Sequence, residues 1–290
     1  MGSKVFLNGN FVNSEDAVIS VFDHGLLYGD GVFEGIRSYN RKVFRLPEHL
    51  DRLYASAEGI KLQIPMSKKE FGDKILETIR INGLDDAYVR VVVTRGAGDL
   101  GLDPRKCKIA TIFIIAGEIS LYPADYYTNG LAIAVAKTKR NHPDSINPKI
   151  KSLNYINNIL GKIDAIEAGT QEALMLSIDG YVAECTGDNI FIVRGGKLIT
   201  PPSEVGALEG ITQKTVIELA KKKGMPTEYK KMLIDELFTA EECFLTGTAA
   251  EIIPVVKIGD KVIGDGNPGS ITQGLREQFV ELTHSEGTKY

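Results

Sequence analysis

The sequence has no tryptophan, and only three cysteines and four histidines among 290 residues. Cys107, Cys185 and Cys243 are odd in number and far apart, so they form neither a disulfide framework nor a metal-ligand set. His24, His49, His142 and His284 are scattered as well, which argues against a metal enzyme. No apolar run approaches the ~20 residues of a membrane-spanning helix. The segment Met1-Gly2-Ser3-Lys4-Val5-Phe6 lacks a signal-peptide core, and position 6 is not the Ser or Thr of a myristoylation site. Neither sign of charge dominates: the net charge is −4, and lysine and arginine are spread along the chain. That pattern excludes a nucleic-acid surface. The absences together leave a soluble chain of a reducing compartment, expected to be the cytoplasm, without a membrane or nucleic-acid partner.

What is present is an ordinary globular composition, 43% hydrophobic and 25% charged, in a chain long enough for two domains. Asn8-Gly9 between Val5-Phe6-Leu7 and Asn10-Phe11-Val12 predicts a hairpin. A second hairpin is expected around Asn40-Arg41. Leu50, Leu53, Tyr54 and Ala57 share one face of a helix that starts at Pro47. Arg52 lies beside that stripe, where a solvated arginine is the default. A further helix is expected over 68–81. Ala87 to Thr94 is a valine-rich strand, with Tyr88, Arg90 and Val92 on one side. An arginine on a covered strand needs an anionic partner, which protein or ligand could supply. Gly96-Ala97-Gly98-Asp99-Leu100-Gly101 matches the dinucleotide pattern G-x-G-x-x-G, but Leu102-Asp103-Pro104 follows where a helix should open. We read it as a loop. The expected division is a smaller N-terminal α/β domain over 1–116, a linker over 117–129 and a larger C-terminal domain over 130–290.

Chemistry centres on Lys151-Ser152-Leu153-Asn154-Tyr155. Pro148 disfavours helix before it. After it, Ile156, Ile159, Leu160, Ile163 and Ile166 form one apolar stripe, with Asn154 as the candidate N-cap. A lysine at such a helix start would lose some proton affinity and suit carbonyl chemistry. Taken alone, Lys151 reads more economically as a solvated lysine. Its company changes that. The helix start Gly210-Ile211-Thr212 and the turn Thr246-Gly247-Thr248 offer amides and hydroxyls to an anion. Arg52 can add a charge-assisted bond, and Glu184 can oppose a ring nitrogen. An imine-forming amine, an anion cup and a pyridinium partner are what pyridoxal phosphate requires.

The stretches Tyr28-Gly29-Asp30-Gly31-Val32-Phe33-Glu34-Gly35-Ile36-Arg37, His49-Leu50-Asp51-Arg52-Leu53, Tyr88-Val89-Arg90, Lys151 to Tyr155, Glu184-Cys185-Thr186-Gly187-Asp188-Asn189, Gly210-Ile211-Thr212 and Thr246 to Glu251 come in one order across nearly the whole chain. In them the sequence resembles the branched-chain amino-acid aminotransferases, within the class IV pyridoxal-phosphate aminotransferases. The resemblance implies a two-domain α/β (α+β) fold like that of D-amino-acid aminotransferase. It also implies that the cofactor, pyridoxal 5′-phosphate, would lie at the domain interface, bound mainly by the larger domain. It implies that Lys151 is catalytic and holds the cofactor. Tyr155 would bond the phenolic oxygen, Glu184 the pyridinium, and Arg52, Ile211, Thr212 and Thr248 the phosphate. The amides of Thr248 and Ala249, with Tyr88, would receive the substrate α-carboxylate. Arg90 would meet a glutamate side chain, and Tyr28, Phe33 and Tyr155 would wall the aliphatic pocket. The 96–103 loop would reach a neighbouring subunit's site. The implied reaction is transamination of L-leucine, L-isoleucine and L-valine with 2-oxoglutarate, by a homodimer or larger homo-oligomer whose partners are small amino acids and 2-oxo acids. D-amino-acid transaminases and aminodeoxychorismate lyases are the nearest alternatives. Some branched-chain enzymes place a tryptophan in the linker, which this chain lacks, so the acyl preference follows less directly than the reaction.

Overall fold

A computed structural model describes residues 3–119 and 121–290. The chain divides into two compact units. One is Met1–Ile119 with Ile150–Asn154 and Thr283–Tyr290; the other is Ser120–Lys149 with Tyr155–Leu282. The division therefore differs from a simple cut near residue 116. A short internal segment and the C-terminus join the first unit.

In the first unit, β1 (Lys4–Leu7) and β2 (Asn10–Asn13) form the expected hairpin at Asn8-Gly9. A one-turn helix α1 (His24–Tyr28) is capped by the Asp23 carboxylate, which accepts from the Gly25 amide. Then come β3 (Gly31–Tyr39), β4 (Lys42–Val43), α2 (Leu46–Gly59), α3 (Lys68–Ile81), β5 (Ala87–Thr94) and β6 (Thr111–Gly117). The sheet order is Thr288–Lys289, β4, β3, β5, β6, β1, β2. Helices α2 and α3 turn Leu50, Leu53, Phe71, Ile75 and Ile79 onto Ile36, Val89, Val91 and Ile114 of the sheet. At about 25 cal/mol per Å² of apolar surface buried, this packing is the unit's main stabilisation. The 96–103 loop opens no α-helix and leads instead into a 3₁₀ turn at Pro104–Lys106.

The second unit opens on α4 (Ala124–Asn129), so the stretch expected as a linker carries a short helix. It continues through β7 (Leu131–Val135), α5 (Ile156–Glu167), β8 (Ala173–Leu176), β9 (Val182–Cys185), β10 (Asn189–Arg194) and β11 (Lys197–Thr200). After these come α6 (Ile211–Lys222), β12 (Thr227–Tyr229), α7 (Ile234–Leu237), β13 (Glu242–Gly247), β14 (Glu251–Ile258), β15 (Lys261–Val262) and α8 (Ser270–Ser285). The sheet order is β12, β11, β10, β13, β14, β7, β8, β9, with β15 beside β14. Leu131, Ile133, Leu174, Ile190, Leu245 and Ile253 fill its core.

Helix α5 reverses the expectation set by its apolar stripe. Ile156, Ile159, Leu160, Ile163 and Ile166 are 44% to 66% exposed, while Asn158, Gly161 and Ala165 face inward. The reason is close approach. A Cβ on Gly161 would lie 3.0 Å from Met175 Sδ on β8 and 3.2 Å from Thr186 Cγ2, so the small face is the one that fits the sheet. Asn154 is not the cap either: Tyr155 holds that position, and the Asn154 side-chain amide donates to Gly29 O at 3.1 Å. Among the described residues no helix is long and apolar enough to cross a membrane.

Candidate active site

In the first unit the segment carrying Lys151 is stitched to β3. The Phe33 amide donates to Lys151 O at 3.0 Å, the Leu153 amide donates to Gly31 O at 2.9 Å, and Val32 and Ser152 form a bridge. The Lys151 amide donates to Ser56 Oγ on α2 at 3.1 Å. The lysine therefore sits on an extended segment, as expected, with its backbone fixed at both carbonyl and amide. Its Nζ lies 4.6 Å from the centroid of the buried Phe33 ring. The Arg90 guanidinium, on β5, stands 4.6 Å from the same centroid and donates to Tyr88 Oη at 3.0 Å. Lys151, Phe33, Tyr88 and Arg90 thus converge, because β3 and β5 pair in register with Phe33 opposite Val92 and Arg37 opposite Tyr88.

Arg52 is not the solvated arginine of the default reading. Its side chain is only 13% exposed, and its Nε and Nη2 donate to Glu34 Oε1 and Oε2 at 2.6 and 2.9 Å. His49 Nδ1 reaches Glu34 Oε2 at 2.8 Å. Burial alone would raise the Glu34 pKa, but the charges of Arg52 and His49 and their hydrogen bonds outweigh it. The carboxyl is held well below the usual range. For His49 burial dominates and lowers the pKa, despite the pull of Glu34. Tyr28 sits at the end of α1, and its hydroxyl donates to Leu100 O at 2.5 Å, tying α1 to the glycine-rich loop.

In the second unit Glu184, on β9, is buried and ionically paired: Arg140 Nη2 lies 2.8 Å from Oε1. Its other oxygen accepts from the Leu208 amide at 2.9 Å and from Asn189 Nδ2 at 3.2 Å. Asn189 joins this carboxylate to the start of α6. A Cβ on the cap residue Gly210 would lie 2.0 Å from Asn189 Oδ1, so a side chain there would have to displace the Asn189 amide. The cap residue Gly210 makes no side-chain cap, and among the described residues no side chain accepts from the amides at Ile211 and Thr212. Thr248 and Ala249 lie half-buried in the turn from β13 to β14. Beside that turn Thr246 Oγ1 is buried without a hydrogen-bond partner among the described residues. Tyr155 is half-buried at the head of α5.

The sequence profile of amino-transferase class IV matches residues 31–258. The chain belongs to the class IV aminotransferases. A Methanocaldococcus jannaschii protein named, provisionally, as a branched-chain-amino-acid aminotransferase is 51% identical, covering 99% of this chain and 98% of its own. The crystal structure of Escherichia coli branched-chain amino acid aminotransferase superposes with a TM-score of 0.95 at 33% identity, over 99% of this chain and 97% of that one. The branched-chain aminotransferase of the thermophilic archaeon Thermoproteus uzoniensis, solved with norvaline, gives a TM-score of 0.92 at 38% identity, over 99% and 97%.

Class IV aminotransferases work with pyridoxal 5′-phosphate, and the residues of this one fit that group. The amides at the start of α6 and the Thr246 hydroxyl, without side-chain partners among the described residues, are donors that suit a phosphate. Glu184 is an acceptor of the kind a protonated ring nitrogen needs, and Lys151 is a backbone-fixed amine. Two polar partners escaped the sequence reading. Glu34 is separated in sequence from Arg52, and Arg140 ends a basic run, Lys137-Thr138-Lys139-Arg140, that reads as solvated. The density of charge around Glu34, His49 and Arg52 was the available signal.

Proposed function

We propose that this class IV aminotransferase transfers the amino group of L-leucine, L-isoleucine and L-valine to 2-oxoglutarate, with pyridoxal 5′-phosphate, in branched-chain amino-acid biosynthesis or degradation. The observation that carries the reading is the convergence of Lys151 and Arg90 on Phe33. An apolar ring accepts an aliphatic side chain, and the arginine beside it answers the second carboxylate when glutamate enters. Each methylene buried adds only ~0.8 kcal/mol, so discrimination among the three aliphatic donors is weak.

The bound cofactor supplies an electron sink for the substrate α-carbon. Lys151 takes the α-proton and returns it as general base and acid. Glu184 would accept from the ring nitrogen and Tyr155 would bond the phenolic oxygen. Arg52, Ile211, Thr212 and Thr248 would hold the phosphate. Tyr88 and the amides of Thr248 and Ala249 take the α-carboxylate, and Tyr28, Phe33 and Tyr155 face the aliphatic chain. The larger, C-terminal part of the chain is the cofactor-binding domain. The exposed stripe of α5 supports a homodimer or larger homo-oligomer, because soluble monomers rarely expose contiguous apolar surface. Its free thiols, Cys185 and Cys243 buried among them, support a cytoplasmic location.

The test is a donor panel against 2-oxoglutarate, run with L- and D-leucine separately and with borohydride trapping of the cofactor. Turnover of L-leucine, with the label mapped to Lys151, is expected. Turnover of D-leucine alone would make this a D-amino-acid transaminase. Release of product without an oxo-acid acceptor would make it a lyase. Lys151→Ala is expected to keep the cofactor only non-covalently and to stop turnover.

A further inference from the structure

The strongest structural feature that the reaction itself does not use is the carboxylate of Glu34. It is 0% exposed at the centre of β3, and His49 and Arg52, which bond it, are both side chains of α2. A carboxylate is rarely buried unless its charge is answered. Here Arg52 answers it with two parallel bonds through Nε and Nη2. A bidentate bond fixes the plane of a guanidinium that would otherwise sample many rotamers. His49 completes the arrangement. Because Glu34 is ionised and can only accept, His49 must donate from Nδ1. His49 is itself 2% exposed, with its pKa lowered first by burial. The arginine is fixed in direction without leaving an uncompensated charge inside the unit.

We propose that Glu34 is a positioning residue that aims the Arg52 guanidinium at the cofactor's phosphate, with His49 holding the carboxylate from its other side. This rests on the reading of Arg52 as a phosphate-binding residue. Pre-orientation removes an ordering cost from binding and appears as affinity for the phosphate alone. A purely structural ion pair would stabilise the fold and leave that affinity untouched.

The experiment compares pyridoxal 5′-phosphate with pyridoxal, which lacks the phosphate, as probes of the full-length protein. Dissociation constants are read by absorbance for the wild type, Arg52→Gln, Glu34→Gln and the double variant. The preference for the phosphorylated probe should fall at least about tenfold in Arg52→Gln, the value of a charge-assisted hydrogen bond. It should fall comparably in Glu34→Gln, and the double variant should lose no more than Arg52→Gln alone. Pyridoxal affinity should change little throughout. If Arg52→Gln keeps the preference, the phosphate role of Arg52 fails and the proposal falls with it. If Arg52→Gln loses it but Glu34→Gln keeps it, only the positioning role is overturned. Should Glu34→Gln not fold, Glu34→Asp carries the test. It keeps the charge but is one methylene too short for both bonds, and an undiminished phosphate preference there overturns the proposal.

Discussion

The Arg90 guanidinium and Lys151 Nζ share one aromatic ring, each 4.6 Å from the centroid of Phe33. The pairing in register of β3 and β5 sets Arg90, and the bonds of 151 and 153 to β3 set the lysine. Removing the guanidinium should therefore damage recognition of a second carboxylate more than chemistry at the α-carbon. Arg90→Ala is expected to raise KM for 2-oxoglutarate and glutamate about tenfold or more, as loss of a bond to a charged group does. KM for leucine should change by a far smaller factor. Steady-state kinetics with both substrate pairs checks this, and an equal rise for leucine and glutamate would refute it.

Arg140 and Glu184 form a buried ion pair at 2.8 Å, with both side chains less than a tenth exposed. Breaking one side of such a pair costs about 3–5 kcal/mol, because the remaining charge is left without its partner. The Leu208 amide and Asn189 still donate to Glu184, so Arg140→Met should fall at the lower end of that range. Equilibrium denaturation measures it. The double variant Arg140→Met/Glu184→Gln should recover part of the loss, and a double variant weaker than the sum of the singles would contradict the pairing.

Local elements were readable because their signals are local. Asn8-Gly9 set a hairpin, the spacing of Leu50, Leu53 and Ala57 set α2, and the valine run set β5. Helix α5 was legible as a helix but not in its orientation. An apolar stripe normally marks the buried face, and only the approach of Gly161 to Met175 shows that the small face is the inward one. Lys151 stood out through its motif, while its attachment to β3 depends on pairing across more than a hundred residues. The partners of Arg52 and Glu184 stayed hidden for a related reason. Neither 34 with 52 nor 140 with 184 is a helical or strand spacing, so periodicity is blind to both.

Gly31 is a further point where backbone meets backbone. A Cβ there would lie 2.7 Å from Val93 O, 2.6 Å from Leu153 Cδ1 and 3.0 Å from Thr94 Cα. The leucine tip can swing aside, but the carbonyl belongs to β5 and cannot. Gly31→Ala should force β3 away from β5 at a cost of about 1–3 kcal/mol, the usual range for overpacking. It should also loosen the bond from the Leu153 amide to Gly31 O, and with it the segment that carries Lys151. The expected result is a lower melting temperature together with a lower kcat. Unchanged kcat in a destabilised variant would separate the glycine from the lysine's placement.

Asp188 introduces a pH dependence of stability with an unusual sign for an aspartate. It is buried between β9 and β10, and burial, reinforced by the charge of Glu172 and opposed by the Tyr122 hydrogen bond, raises its pKa from 3.8 to about 7. Lys162 opposes and Glu184 adds to the rise. In the unfolded chain the carboxyl ionises near its ordinary value, whereas in the fold it keeps its proton to about pH 7. Folding therefore takes up a proton between those values, and the unfolded state gains from ionisation first. The contribution of Asp188 is fully present below pH ~4 and is lost as the pH rises through about 7. Asp188→Asn stays neutral throughout and can still accept from Tyr122. Its melting temperature relative to the wild type should rise between pH 4 and pH 7 and level off above. The depressed Glu34 acts at the acid end in both proteins and cancels in the difference. Paired thermal melts at pH 4, 5.5, 7 and 8 give the curve, and a difference that is flat or falls with pH would show that Asp188 is ionised in the fold.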